Sequence, residues 1–114
     1  MRFIVIYRNT VFFRVMELAV TAEELARGLL GRSTAGNGLF LMEANRIHTY
    51  GMRMAIDAVY LNKDGIVIGL EENIQPNREG KRIRETNHVV EFDTATIQKG
   101  RIRIGERWCW QALI

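Results

Sequence analysis

The chain has 114 residues, 47% hydrophobic and 25% charged, with a formal net charge of +3 and one cysteine. That balance fits one folded domain spanning residues 1–114, and it excludes a disordered chain, an intrachain disulfide framework and a thiolate zinc cluster. The basic excess is mild and lies in the C-terminal third, where Pro76 to Arg107 holds eight basic and five acidic side chains. No apolar run approaches the roughly 18 residues of a membrane span. Arg8 and Arg14 break up the apolar opening before a signal-peptide core can form, so a cytoplasmic location with no membrane partner is expected.

Arg2 to Tyr7 and Val11 to Ala19 read as two strands around a turn at Arg8-Asn9-Thr10, both rich in β-branched and aromatic residues. A helix follows. Thr21 with Glu24 three residues later forms a capping box, and Leu25 and Leu29 share a face at helical spacing. With Gly31 as a left-handed stop, the helix is expected over about 22–30. Gly28 would then lie inside it, where glycine costs roughly 1 kcal/mol relative to alanine. Close contact with a neighbouring strand is the reason favoured for its presence.

Leu39 to Met42 reads as a short buried strand. Ile56 to Leu61 and Ile66 to Leu70 flank Asn62-Lys63-Asp64-Gly65, a hairpin signal with Gly65 placed for positive φ. Gln75 to Thr86 is polar, basic and carries the only proline, so a surface loop or an irregular hairpin is expected, mobile over Arg78 to Arg84. His88 to Asp93 reads as a strand, Thr94 to Lys99 as a helical turn stopped by Gly100, and Ile102 as the apolar contact beyond that stop. Arg101 to Ile104 alternates like a half-buried strand, and Arg107 to Ile114 reads as a closing strand. Many short strands and one good helix imply an α+β fold: a curved, mainly antiparallel sheet or small open β-barrel with the helix packed against it.

Several local patterns, taken in order, resemble one family. Val20-Thr21-Ala22-Glu23-Glu24, Arg27 to Arg32, Gly38-Leu39-Phe40 and Ile47 to Asp57 lead into Val59-Tyr60-Leu61 and Asp64-Gly65. Pro76, Val89-Val90-Glu91 and Gly105-Glu106 follow. Over about 20–107 this series is similar to the domain of unknown function 192 of bacteria and archaea. It departs at Ala55, where the family usually has proline, and at Thr96, near a usual glycine. The resemblance implies an α+β fold around a small barrel-like sheet and no established activity.

The residues themselves offer few candidates for chemistry. Asp57 begins a strand on the face of Val59 and Leu61, so an inward-pointing carboxylate braced by Arg32 is expected. The alternative is a hydrolase-like acid pair of Asp57 and Glu91, since glycosidase-type work needs two carboxylates about 5–10 Å apart. His48, Asp57, His88 and Glu91 lack a recognised metal spacing, so no metal and no cofactor is expected. His48 is read as bonded to backbone and His88 as partly exposed. Cys109, between two tryptophans, reads as a buried, unreactive thiol.

Arg78, Lys81, Arg82 and Arg84 could meet RNA phosphates, but no aromatics interleave with them, so the 78–84 loop is only a second alternative. The leading expectation is a small non-catalytic binding or accessory domain. Its pocket would lie near residues 48–57, formed by His48, Thr49, Tyr50, Met52, Asp57 and Arg32, and would take an unidentified small molecule or protein partner.

Overall fold

The computed structural model describes residues 2–113. In chain order the elements are β1 (Arg2–Arg8), β2 (Val11–Ala19), α1 (Ala22–Arg27), β3 (Leu39–Leu41), β4 (Ile56–Leu61), β5 (Val67–Ile74), β6 (His88–Asp93), α2 (Thr96–Gly100) and β7 (Trp108–Leu113). The seven strands form one mixed sheet in the order β5-β4-β6-β3-β2-β1-β7. Every pairing is antiparallel except β2 with β3. That parallel pair follows from α1, which lies between two strands running the same way and supplies their crossover.

The sheet is α+β in class and is not a closed barrel. It curls until its two ends meet at one corner, where Ile66 bridges Arg107. The Trp108 N–H donates to the Gly65 carbonyl at 2.7 Å, and the Val67 N–H donates to the Glu106 carbonyl at 2.9 Å. A Cβ on Gly65 would sit 2.0 Å from the Trp108 carbonyl oxygen, and its φ is +80°. Glycine is required there twice over, for the backbone conformation and for the close approach. Arg8 clamps the same corner through a bidentate pair with Glu106, at 2.8 and 2.7 Å.

Two apolar clusters occupy the two faces of the sheet. The first draws Ile4, Ile6, Met16, Phe40, Val59, Val90, Phe92 and Trp108 into the inside of the curl. The second lies on the opposite face of β3, β4 and β6, where Leu39, Leu41, Ala58, Tyr60 and Val89 meet Leu29, Ile47 and Ile74. This second face is covered by α1 and by the irregular segments around 44–54 and 75–86.

Local boundaries differ from expectation where backbone dihedrals decide. The Thr21–Glu24 capping box forms, with the Glu24 N–H donating to the Thr21 hydroxyl at 3.1 Å. The Thr21 and Val20 N–H groups donate to the Glu24 carboxylate and hold its pKa well below the ordinary value, down to about 2. However, α1 ends at Arg27 rather than Leu30, because Gly28 adopts φ +46° and ψ −125° and stops the helix itself. The second helix is likewise stopped by Arg101, at φ +51°, not by Gly100. Ile102 is buried beyond that stop, as expected, in the same apolar cluster as Ile97. Residues 101–104 are turn and coil with Ile104 exposed, not a half-buried strand. The closing strand runs Trp108–Leu113.

Candidate functional site

Pairing register puts Glu17, Leu39, Glu91, Ala58 and Glu71 in one row across the second face of the sheet. Three carboxylates therefore lie on a largely apolar surface, where each needs partners. Two have them. Glu17 receives a bidentate pair from Arg32 at 2.7 and 2.8 Å, and that hydrogen bonding lowers its pKa. Glu71 accepts from the Tyr60 hydroxyl at 2.7 Å and from the Lys81 N–H at 2.9 Å. Burial, and then the bond to Glu71, drives the Tyr60 phenol well above its ordinary pKa.

Glu91 is different. It is 1% exposed, and its Oε1 is buried with no hydrogen-bond partner among the described residues. Burial pushes its carboxyl up to about 7. A buried polar atom without a partner costs on the order of 1–3 kcal/mol, more when charged, so its retention calls for a reason.

The surroundings supply one. Glu91 borders a cavity of about 120 Å³ between the end of α1 and the segment before β4. Leu25, Gly28, Leu41, Ile47 and Met52 line its walls, and Arg27, Leu30, Arg46, His48 and Tyr50 stand at its exposed rim. Gly28 borders the acid directly, since a Cβ there would lie 3.9 Å from Glu91 Oε1. A Cβ would meet β6 there only at ordinary van der Waals distance, so Gly28 is required by its positive φ and not by the close strand contact expected of it.

Alternation along residues 47–52 divides anchoring from presentation. Thr49 is buried: its N–H donates to the Arg78 carbonyl at 2.8 Å and its hydroxyl to the Gln75 carbonyl at 2.7 Å. That hydroxyl also accepts from the Arg78 N–H at 2.9 Å. The Gly51 N–H donates to Asn77 Oδ1 at 3.1 Å. Facing the other way, His48 and Tyr50 stack at 4.9 Å. The Tyr50 N–H donates to His48 Nδ1 at 3.3 Å, the backbone bond expected of this histidine.

The expected site residues therefore separate into groups. His48, Tyr50 and Met52 border the cavity. Thr49 holds the segment from behind. Asp57 lies outside the cavity, on the opposite face of the sheet. It pairs with Phe92, whereas Glu91 pairs with Ala58, and side chains alternate faces along each strand. The hydrolase-like pair of Asp57 and Glu91 is thus not assembled. Asp57 is a brace, as expected, but not for Arg32: its two oxygens accept from the Asn73 N–H at 2.9 Å and the Ile97 N–H at 3.0 Å. Arg32 is committed to Glu17.

Other side chains also differ from expectation. His88 is buried, not partly exposed, against Phe40 and Trp110. Burial lowers its pKa despite the opposing charge of Glu43. Cys109 is exposed, not buried, because it sits on the outer side of the edge strand β7. The 75–86 segment is docked by the Thr49 bonds and by the Gly80 N–H donating to the Ile47 carbonyl at 2.9 Å. Its cations Arg78, Lys81, Arg82 and Arg84 are exposed, with half-buried Ile83 between them. Among the described residues, no three His, Cys, Asp or Glu side chains converge as metal ligands would.

Comparison with known proteins bears on the family. The family model of the domain of unknown function 192, described as an uncharacterized ACR, matches residues 6–110. The chain belongs to this family. No curated protein matches this DUF192 chain. Two crystal structures share its fold. A protein of unknown function from Novosphingobium aromaticivorans has a TM-score of 0.78 at 20% identity, over 95% of this chain and 84% of its own. A candidate transcription regulator from Sinorhizobium meliloti has a TM-score of 0.77 at 19% identity, over 96% and 92%. At these identities the likeness concerns the fold. No helix of this DUF192 chain is long and apolar enough to cross a membrane among the described residues.

Proposed function

We propose that this DUF192 domain is a small, non-catalytic binding module whose ligand enters the cavity floored by Glu91. One observation carries the reading: Glu91, whose buried Oε1 has no donor among the described residues, borders a cavity that is apolar in its walls and polar at its rim. Small-molecule sites usually have that composition, a concave apolar surface with few convergent polar groups. A cavity of about 120 Å³ is smaller than the roughly 150 Å³ that holds benzene in an engineered core. The ligand, or the part of it that enters, is therefore small.

A binding role is favoured over catalysis because acid–base hydrolysis needs a second group converging on the first. Asp57 faces away from the cavity, and both its oxygens are taken by backbone donors. A cytoplasmic setting belongs to the same proposal and is supported by a single exposed thiol, which suits a reducing compartment. Screening small metabolites by amide chemical-shift perturbation tests the reading. Ligands should move Gly28, Leu30 and Tyr50, and Glu91→Gln should weaken them. Shifts confined to residues remote from the cavity would contradict it.

A further inference from the structure

The charges around the cavity are arranged with opposite signs at its two ends. Glu91 is the only acid among the residues that line it, and it lies at the buried floor. Arg27 and Arg46 stand at the rim, both exposed. Arg27 is engaged by Glu23 at 3.0 Å in an open, solvent-facing pair. Arg46 has no ion pair and no side-chain hydrogen bond among the described residues. The walls between floor and rim are aliphatic or thioether, from Leu25, Leu41, Ile47 and Met52. His48 and Tyr50, stacked on each other, close one side.

An acceptor without a donor in a low-dielectric floor selects a ligand that brings donors, and a carboxylate prefers a cationic donor because charge-assisted bonds are the stronger ones. An ammonium supplies three donors from a compact head. A guanidinium is larger and is less suited to a cavity of about 120 Å³. The free guanidinium at the mouth selects an anionic group, with a carboxylate giving a planar, bidentate match. Apolar walls between the two fit a short methylene spacer.

Resting on the binding role above, we propose that the cavity takes a small zwitterionic amine, its ammonium against Glu91 and its carboxylate at Arg46. The amine end sits deep and dry, and the acid end stays at the solvent edge. The ligand class is thus that of small amino acids, α or ω, with chain length set by the depth between floor and rim.

The test uses the whole chain and defined probes: alanine, β-alanine, γ-aminobutyrate, propylamine, propionate and propionamide, each titrated by NMR at pH 7.5. Amide shifts at Gly28, Leu30 and Tyr50 report the cavity, and the Glu91 carboxyl carbon reports its floor. The proposal expects at least one amino acid to bind tenfold or more tightly than propylamine, propionate and propionamide. Glu91→Gln should weaken that amino acid tenfold or more. Arg46→Ala, at an exposed position where folding is not at stake, should reduce its affinity to that of propylamine. If propionate or propionamide binds in the cavity as tightly as the amino acids, the ligand class is overturned while the binding role stands. If Arg46 itself swings in to pair with Glu91 and no probe moves the cavity resonances, both are overturned.

Discussion

Glu91 and Asp57 are both fully buried acids, yet they should behave oppositely on substitution. Asp57 accepts backbone N–H bonds on both oxygens. In Asp57→Asn one of those donors would face the NH2 of the new amide, so stability should fall by about 2 kcal/mol in urea denaturation. An unchanged midpoint would show that the brace is dispensable. Glu91 has a folded pKa raised by burial to about 7 from an ordinary 4.5. Between those values the folded state binds more protons than the unfolded one, so stability is present below about pH 4.5 and is lost as pH rises through about 7. The full loss is about 3 kcal/mol for this shift. Comparison of wild type with Glu91→Gln between pH 4.5 and 8 isolates it, since the variant lacks this component of the slope. Parallel curves would mean that the carboxylate is hydrated or paired. The charged and titratable neighbours held constant in that comparison are Arg27, Arg46, His48 and Tyr50 around the cavity and Tyr60 beside Glu91 on the sheet.

Within the elements, the first helix shows what local sequence specifies and what it does not. Its start is written in Thr21 and Glu24, and Thr21→Ala should cost about 1 kcal/mol by removing the acceptor of an otherwise unpaired N–H. Its end was not legible in the same way. Leu29 and Leu30 continue the apolar spacing, but Gly28 leaves the helical region because the chain turns there to roof the cavity. That requirement is tertiary. Gly28→Ala should therefore destabilise, by roughly 1–3 kcal/mol, through its positive φ and not through lost space. A helical glycine would instead give a gain on the same substitution, and thermal unfolding distinguishes the two. The 75–86 segment makes the complementary point. Its composition reads as a surface loop or irregular hairpin, whereas its backbone is tied to Thr49 across a sequence gap that no local pattern spans. Thr49→Val should lower stability by about 2 kcal/mol. Neutralising Arg78, Arg82 and Arg84 should leave it nearly unchanged, because their side chains are solvated.

At the scale of the whole molecule, the strands and the fold class were legible because apolar runs and turn residues are local signals. The strand order was not, since it depends on which edges meet after the sheet curls. Strand order also explains why the acid pair fails. Asp57 and Glu91 lie on neighbouring strands, β4 and β6, but in registers that turn them to opposite faces, and no single-strand pattern reveals register. The same limit applies to Cys109, whose apolar neighbours concealed an edge position. A colorimetric thiol reagent should therefore label it in the native state without denaturant, and a requirement for unfolding would place β7 against another surface. The cavity segment itself was legible through His48, Tyr50 and Met52, and Glu91 was legible as a candidate acid, but its place at the floor without Asp57 was not, because that depends on strand register. The most direct test of the account is a pH titration of the Glu91 side-chain carboxyl carbon by NMR in the unliganded protein. A midpoint near 7 is the predicted result. A midpoint near 4.5 would show a solvated or partnered carboxylate and would contradict the unpaired floor on which the proposed site depends.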